Sequence, residues 1–377
     1  MPGDLLADVD QLVGQLPEAE VRPVIRQLLG VGATAPQRLQ LPAAVDLETV
    51  FLDTTCLAAP IHYPVDWVLL RDATRTLMKA VGLIRDQGLK HRREAPEMFL
   101  RRINTLAIQM THAWNRDDGQ RQRKKTLRQM DRLVGTVRHP ARRYRDLLQE
   151  RWEQTQWTRP QAEQALRRMD QVLDQLPEAR RPARQRILKG QLVANEEKIL
   201  SLYEPDVHVI VRRKAGAEVE FGNPLLLGEN PQGLIIDWKL YRESAPADSA
   251  LLPRSVGRME EVYGQTLKAV GADRGFDSET NRVGLADEGI YNGVCPRSPR
   301  QLQKRNGSWK FKRLQRRRAQ TEGRVGIVKN VFMGGRMRSK GFAHRELTVT
   351  WTVMGHNLWV LARIPPAKVA PAARKAA

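Results

Sequence analysis

Acidic residues are scarce in this chain. It carries 42 Asp and Glu against 63 Lys and Arg, a formal charge of +21 over 377 residues. Beyond Glu288 only two acidic side chains remain, Glu322 and Glu346. Charge of this size does not set a fold, but it attracts polyanions, of which nucleic acid is the commonest. A solvated basic surface or ribosome association is the alternative. Cysteine is scarcer still. Cys56 and Cys295 are the only two, too few for a disulfide framework, and no metal-ligand spacing surrounds them. They read as reduced core thiols. Long apolar runs are missing too: nothing approaches the roughly 20 residues of a membrane span. The N-terminus MPGDLLADVDQLV is acidic and has no signal-peptide pattern. These absences point to a soluble cytoplasmic protein.

What is present divides the chain into regions. Residues 1–44 carry short helical patterns broken by PEAE, GVGA, Pro36 and Pro42, and read as a small helical appendage. TVFLDTT (49–55) reads as a short buried strand, and Asp66 can cap a helix over WVLLRDATRTLMKAVGLI. From 85 to 200 apolar residues recur at helical spacing: Phe99, Ile103, Leu106, Met110 and Trp114, then Leu127, Met130, Leu133 and Val137, then Ala162, Leu166, Met169, Leu173 and Leu176. This helical insertion has roughly two basic residues for each acidic one, which suits phosphate contact or simply a solvated bundle.

Strand signals return at 207–213, 217–222, 224–229 and 233–241, with Gly and Pro turns between them. A helix over 254–268 leads to a short strand ending at Asp273. FDSETNRVGLADEG reads as a helix, GIYNGVC as a strand, and RLQRRRAQTEGRVGIVKN (313–330) as a further helix. The tail 363–377 has the Pro, Ala and Lys composition of a disordered segment. A meander followed by βα alternation describes a mixed α/β sheet covered by helices. The sheet-forming domain takes 45–84 and 201–362, interrupted by the insertion 85–200.

Asp53 and Asp273 each end a predicted strand, where functional groups of α/β sheets collect. If the two strands are adjacent and parallel, these aspartates face one another about 4.8 Å apart. Like charges so close need a cation between them, or one takes up a proton. A third carboxylate from a following helix would complete an oxygen-rich site for Mg²⁺. Glu322 is placed to supply it. Arg318 lies four residues before Glu322 and Lys329 seven after, all on one helix face. The plain alternative is an i, i+4 salt bridge worth about 0.3–0.5 kcal/mol. Gly323 and Gly326 each cost a helix about 1 kcal/mol relative to alanine, unless close packing requires them. Asp237 and Asp277 are rival carboxylates, the first in a strand and the second in a helix's first turn. His62 and Asp66, in the segment after the first strand, suit turn and capping roles. Tryptophans such as Trp238 are core residues or base-stacking platforms.

Arg318, Glu322 and Lys329 stand at the spacing of a Tyr-x2-Arg-x3-Glu-x6-Lys signature, with Gln315 in the tyrosine position. LDTT around Asp53, IHYPVDWVLLRDATRTL (61–77), RRKAGAEVEFGNPLLLGE (212–229) and GADRGFDSETN (271–281) accompany it in order. On these residues the chain, over roughly 45–362, resembles the DDE transposases of bacterial insertion sequences. The resemblance implies an RNase H-like fold with a five-stranded mixed sheet. It implies two-metal phosphoryl transfer with Mg²⁺ or Mn²⁺, nicking a transposon end and joining the freed 3′-OH to target DNA. Asp53, Asp273 and Glu322 would be the metal ligands; Arg318 and Lys329 would bind the DNA phosphate backbone. It also implies action on DNA at the nucleoid, with a homodimer in the DNA complex as one arrangement. Members of that group carry a longer helical DNA-binding region ahead of the first aspartate. Residues 1–44 are short and not basic, so a truncated or inactive DNA-binding derivative is the alternative.

Overall fold

The computed structural model describes residues 45–61, 66–90, 95–113, 118–214, 217–243, 246–335 and 337–363. The expectations for 1–44, His62, Trp114 and all but the first residue of the tail 363–377 lie outside those residues. The chain divides into two units. One comprises Met1–Pro60 and Ile210–Ala377, the other Ile61–Val209.

The second unit is helical. Its main helices are α1 (Asp66–Asp86), α2 (Pro96–His112), α3 (Gly119–Arg151) and α4 (Arg159–Ala183). Each has an apolar stripe at helical spacing, and the stripes meet in one core containing Leu77, Ile84, Ile103, Met130, Leu173 and Leu176. Thr158 starts α4 through a reciprocal capping box with Gln161. Arg145–Asp170 and Arg180–Asp131, both 2.7 Å, tie α3 to α4. The unit begins before residue 85 because α1 buries Leu69, Leu70, Ala73, Leu77, Met78 and Val81 in this helical core. No described helix is long and apolar enough to cross a membrane.

The first unit is a mixed sheet of six strands flanked by helices. The strands are β1 (Thr49–Ala58), β2 (His208–Lys214), β3 (Ala217–Glu229), β4 (Ile235–Leu240), β5 (Ala269–Ala272) and β6 (Tyr291–Asn292). The order is β2-β3-β1-β5-β6, with β4 also against β3. β3 is antiparallel to β1 and β4, whereas β5 runs parallel to β1 and β6. The helices are α5 (Asp248–Tyr263), α6 (Glu279–Asp287), α7 (Pro299–Arg305), α8 (Trp309–Ile327) and α9 (Phe342–Leu361). α8 continues as a wider turn over Val328–Phe332. Cys56 is buried and Cys295 partly so, and neither forms a disulfide.

Two sequence expectations change here. The sheet has six strands rather than five. The segments 217–222 and 224–229 are one strand, not two joined by a turn. Gly222 looks like a turn residue, but its role is close approach: an added Cβ would collide with the Leu57 carbonyl. Pro224 removes one ladder donor, yet it stays in register opposite Cys56 and its carbonyl accepts from the Tyr241 amide at 2.9 Å.

Candidate active site

Strand register brings the two aspartates together. Leu52 on β1 pairs with Ala272 on β5 in parallel register, so Asp53 and Asp273 follow side by side. Asp273 stands just past the end of β5 as expected, but Asp53 does not end its strand: β1 runs on to Ala58, held by its antiparallel pairing with β3. The tight fit beneath them comes from Gly271, where a Cβ would sit 2.7 Å from the Phe51 ring. Both carboxylates are oriented by local backbone donors. Asp53 accepts from the Thr54 amide at 2.9 Å, and Asp273 from the Gly275 amide at 2.8 Å.

The third element is α8. Ser308 caps it, its hydroxyl accepting from the Phe311 amide at 3.4 Å, and Phe311 anchors the first turn in the core. Arg317 lies over the Phe51 ring at 5.1 Å and donates to buried Glu229 at 2.6 Å. Arg324, two turns on, reaches the same Glu229 oxygen at 3.2 Å. This Arg-Glu-Arg group, its glutamate buried and its arginines partly so, fixes α8 against β1 and β3. Arg318 then points between the middle of β1 and the end of β5: one guanidinium nitrogen is 3.8 Å from Asp53 and 3.7 Å from Asp273. Lys329 reaches the far end of β1, donating to the Cys56 carbonyl at 2.8 Å and to the Thr55 hydroxyl at 3.4 Å. The helix therefore runs along β1, with Arg318 near Asp53 and Lys329 near Cys56.

Glu322 lies between them along α8, about 6 Å beyond Arg318 along the axis. Its side chain is exposed. The i, i+4 bridge from Arg318 to Glu322 is not formed, because Arg318 faces the aspartates instead. Gly323 and Gly326 are not there for close packing: nothing lies within 4 Å of an added Cβ at either position. Tertiary docking of α8 outweighs their low helix propensity.

The rival carboxylates have other partners. Asp237 is fully buried on β4, bound by Arg258 and Ser255, each at 2.6 Å. Asp277 precedes α6 rather than lying in its first turn. Ser278 caps α6, while buried Asp277 accepts from Arg282 and the Arg297 amide, both at 2.8 Å. Asp66 begins α1 and accepts from Arg186 at 2.9 Å; burial raises its pKa, and the Arg186 charge opposes that rise. Trp238 is a core residue.

One acidic residue near the site escapes sequence reading. Asp248, first in α5, accepts the Thr54 hydroxyl at 3.0 Å. A Cβ on Gly275 would lie 2.6 Å from an Asp248 oxygen and 2.9 Å from an Asp273 oxygen, so Gly275 leaves room for both carboxylates. Helix spacing in the sequence starts α5 at 254 and hides this residue.

The fit to a divalent cation can be judged from these donors. Asp53 and Asp273 present oxygens from adjacent strands, and the Arg318 guanidinium already stands between them as a positive charge. That pair suits a hard cation. Glu322 is not gathered with them: among the described residues, no group of three or more His, Cys, Asp or Glu is placed to hold a metal. Compared with protein-family models, curated proteins and solved structures, the chain finds no match.

Proposed function

We propose that this chain is a DNA transposase that nicks the ends of an insertion sequence and joins the freed 3′-OH to target DNA. The observation that carries the reading is the side-by-side placement of Asp53, within β1, and Asp273, just past the adjacent parallel β5, under a helix bearing Arg318, Glu322 and Lys329 at signature spacing. The six-stranded mixed sheet flanked by helices agrees with an RNase H-like core interrupted after β1. Asp53, Asp273 and Glu322 would hold two divalent ions, Mg²⁺ or Mn²⁺. When bound, such ions activate a water or 3′-OH nucleophile and stabilise the leaving oxygen.

The chain's own residues do the rest. Asp53 and Asp273 are oriented by the Thr54 and Gly275 amides before any ligand arrives. Arg318 balances their charge and offers its guanidinium to a DNA phosphate once that charge is otherwise met. Lys329, held at Thr55 and Cys56 further along β1, contacts the backbone of the same DNA. The excess of basic residues across the chain supplies the long-range attraction to a polyanion. The site of action is the cytoplasm, at the nucleoid, with two copies on paired ends.

A second reading is a DNA-binding derivative without catalysis. It is favoured by one observation, the exposed Glu322 standing apart from the two aspartates. One assay separates the two. Duplex DNA carrying the ends of the encoding element is incubated with Mg²⁺ or Mn²⁺ and either wild type or Glu322→Gln. The transposase reading expects nicking by wild type and a loss on the order of 100-fold or more in the variant, with DNA affinity retained. Tight binding without nicking by wild type supports the derivative instead.

A further inference from the structure

We propose that Gln315 is a positioning residue that fixes Asp273 relative to the helix carrying Arg318 and Glu322. The inference rests on the transposase reading only for its catalytic consequence. Its basis is a double hydrogen bond. The Gln315 side-chain nitrogen donates to the Gly293 carbonyl at 2.6 Å and to the Ala272 carbonyl at 3.2 Å. Both partners are acceptors only, so the amide orientation is forced: nitrogen toward the strands.

The two carbonyls belong to the ends of different strands. Ala272 is the last residue of β5 and immediately precedes Asp273; Gly293 follows β6. The same carbonyls' strands are otherwise joined by the Gly293 amide to Val270 at 2.6 Å and the Cys295 amide to Ala272 at 3.0 Å. β6 is only two residues long, so few ladder bonds hold this edge. Gln315 ties both strand ends to α8, one turn before Arg318. Packing keeps it there: a Cβ on Gly293 would lie 2.9 Å from the Leu314 side chain, so the glycine lets α8 approach closely.

The chemistry explains why an amide serves in the tyrosine position of the signature. A primary amide has two N–H donors and can hold two carbonyls at once, whereas a phenol has one O–H. Gln315 thus takes over a strand-to-helix clamp that a tyrosine could make to one carbonyl at most.

The test compares wild type with Gln315→Met, which keeps the length without donors, and with Gln315→Glu, which keeps the shape. Amide hydrogen exchange is read at Gly275, Gly293 and Cys295, alongside single-turnover nicking. The expected result is exchange about tenfold faster at those amides, with β3 and α9 unchanged. The nicking rate falls about 10- to 100-fold, as for groups that orient metal ligands, and KM for DNA holds within about twofold. Unchanged exchange at the three amides overturns the clamp. So does faster exchange throughout the sheet with a matching loss of DNA affinity, which marks a general structural defect. If wild type itself does not nick, the functional reading fails, and the exchange pattern alone still decides the clamp.

Discussion

The two halves of the candidate site are held by different kinds of force. The sheet half, Asp53 and Asp273, is set by backbone register: once β1 and β5 pair in parallel, the aspartates are neighbours whatever their side chains do. The helix half is set by side chains. α8 carries six Arg and Lys between Lys310 and Arg318, a poor amphipathic helix, and docks through Glu229, Phe311 and Gln315. Register is shared among many hydrogen bonds and tolerates substitution; a docking made by a few buried groups does not. The difference predicts that single substitutions will move the helix half while leaving the aspartate pair in place.

The largest expected effect is at Glu229. Glu229→Ala leaves part-buried Arg317 and Arg324 without the buried carboxylate they share, and each lost hydrogen bond between charged groups costs about 1.5–3 kcal/mol. Urea unfolding followed by tryptophan fluorescence measures it. A loss below about 1 kcal/mol would mean the group is screened like a surface pair, and that α8 is held elsewhere.

A smaller effect is expected at His356, which packs edge-on against Phe332 just beyond Lys329, their ring centroids 5.4 Å apart. Burial pushes this imidazole from 6.5 to about 4, with the Asn357 contact opposing the shift. Between those values the unfolded chain binds the proton and the folded one does not. The stabilisation from His356 is therefore present above pH 6.5 and lost as pH falls toward 4, by up to about 1.4 kcal/mol per unit. His356→Phe should flatten the pH–stability curve in that window. An unchanged slope would show that His356 does not titrate differently on unfolding.

The smallest expected effect is at Gly323, in open space on α8. Gly323→Ala should stabilise by about 0.5–1 kcal/mol through the backbone alone. A destabilised variant would reveal a steric demand on that turn which the surroundings of Gly323 do not display.

The same contrast explains how much was legible in the sequence. TVFLDTT and KAVGAD are short β-branched or apolar runs that contain an aspartate, and the βα alternation made their parallel adjacency readable. Helix spacing likewise put Arg318, Glu322 and Lys329 on one face. Spacing gives an angle around a helix, though, not the partner across the interface: Arg318 turns to the aspartates as expected, whereas Glu322 stays exposed. Gly222 and Pro224 look like punctuation in a sequence, and only the approach of Leu57 reveals an unbroken strand. Asp248 was hidden because Pro253, a residue favoured in first turns, stands inside α5 instead. The role of Gln315 depends on two backbone carbonyls, and carbonyls have no sequence signature.

The central claim is that Asp53, Asp273 and Glu322 act on one divalent-metal site despite the exposed position of Glu322. Mn²⁺ binding in the presence of duplex DNA, followed by electron paramagnetic resonance, tests it most directly. Asp53→Asn, Asp273→Asn and Glu322→Gln should each weaken binding about 10-fold or more. Wild-type Mn²⁺ affinity in Glu322→Gln, with the aspartate variants impaired, would contradict the account and leave a two-aspartate site that Glu322 does not serve.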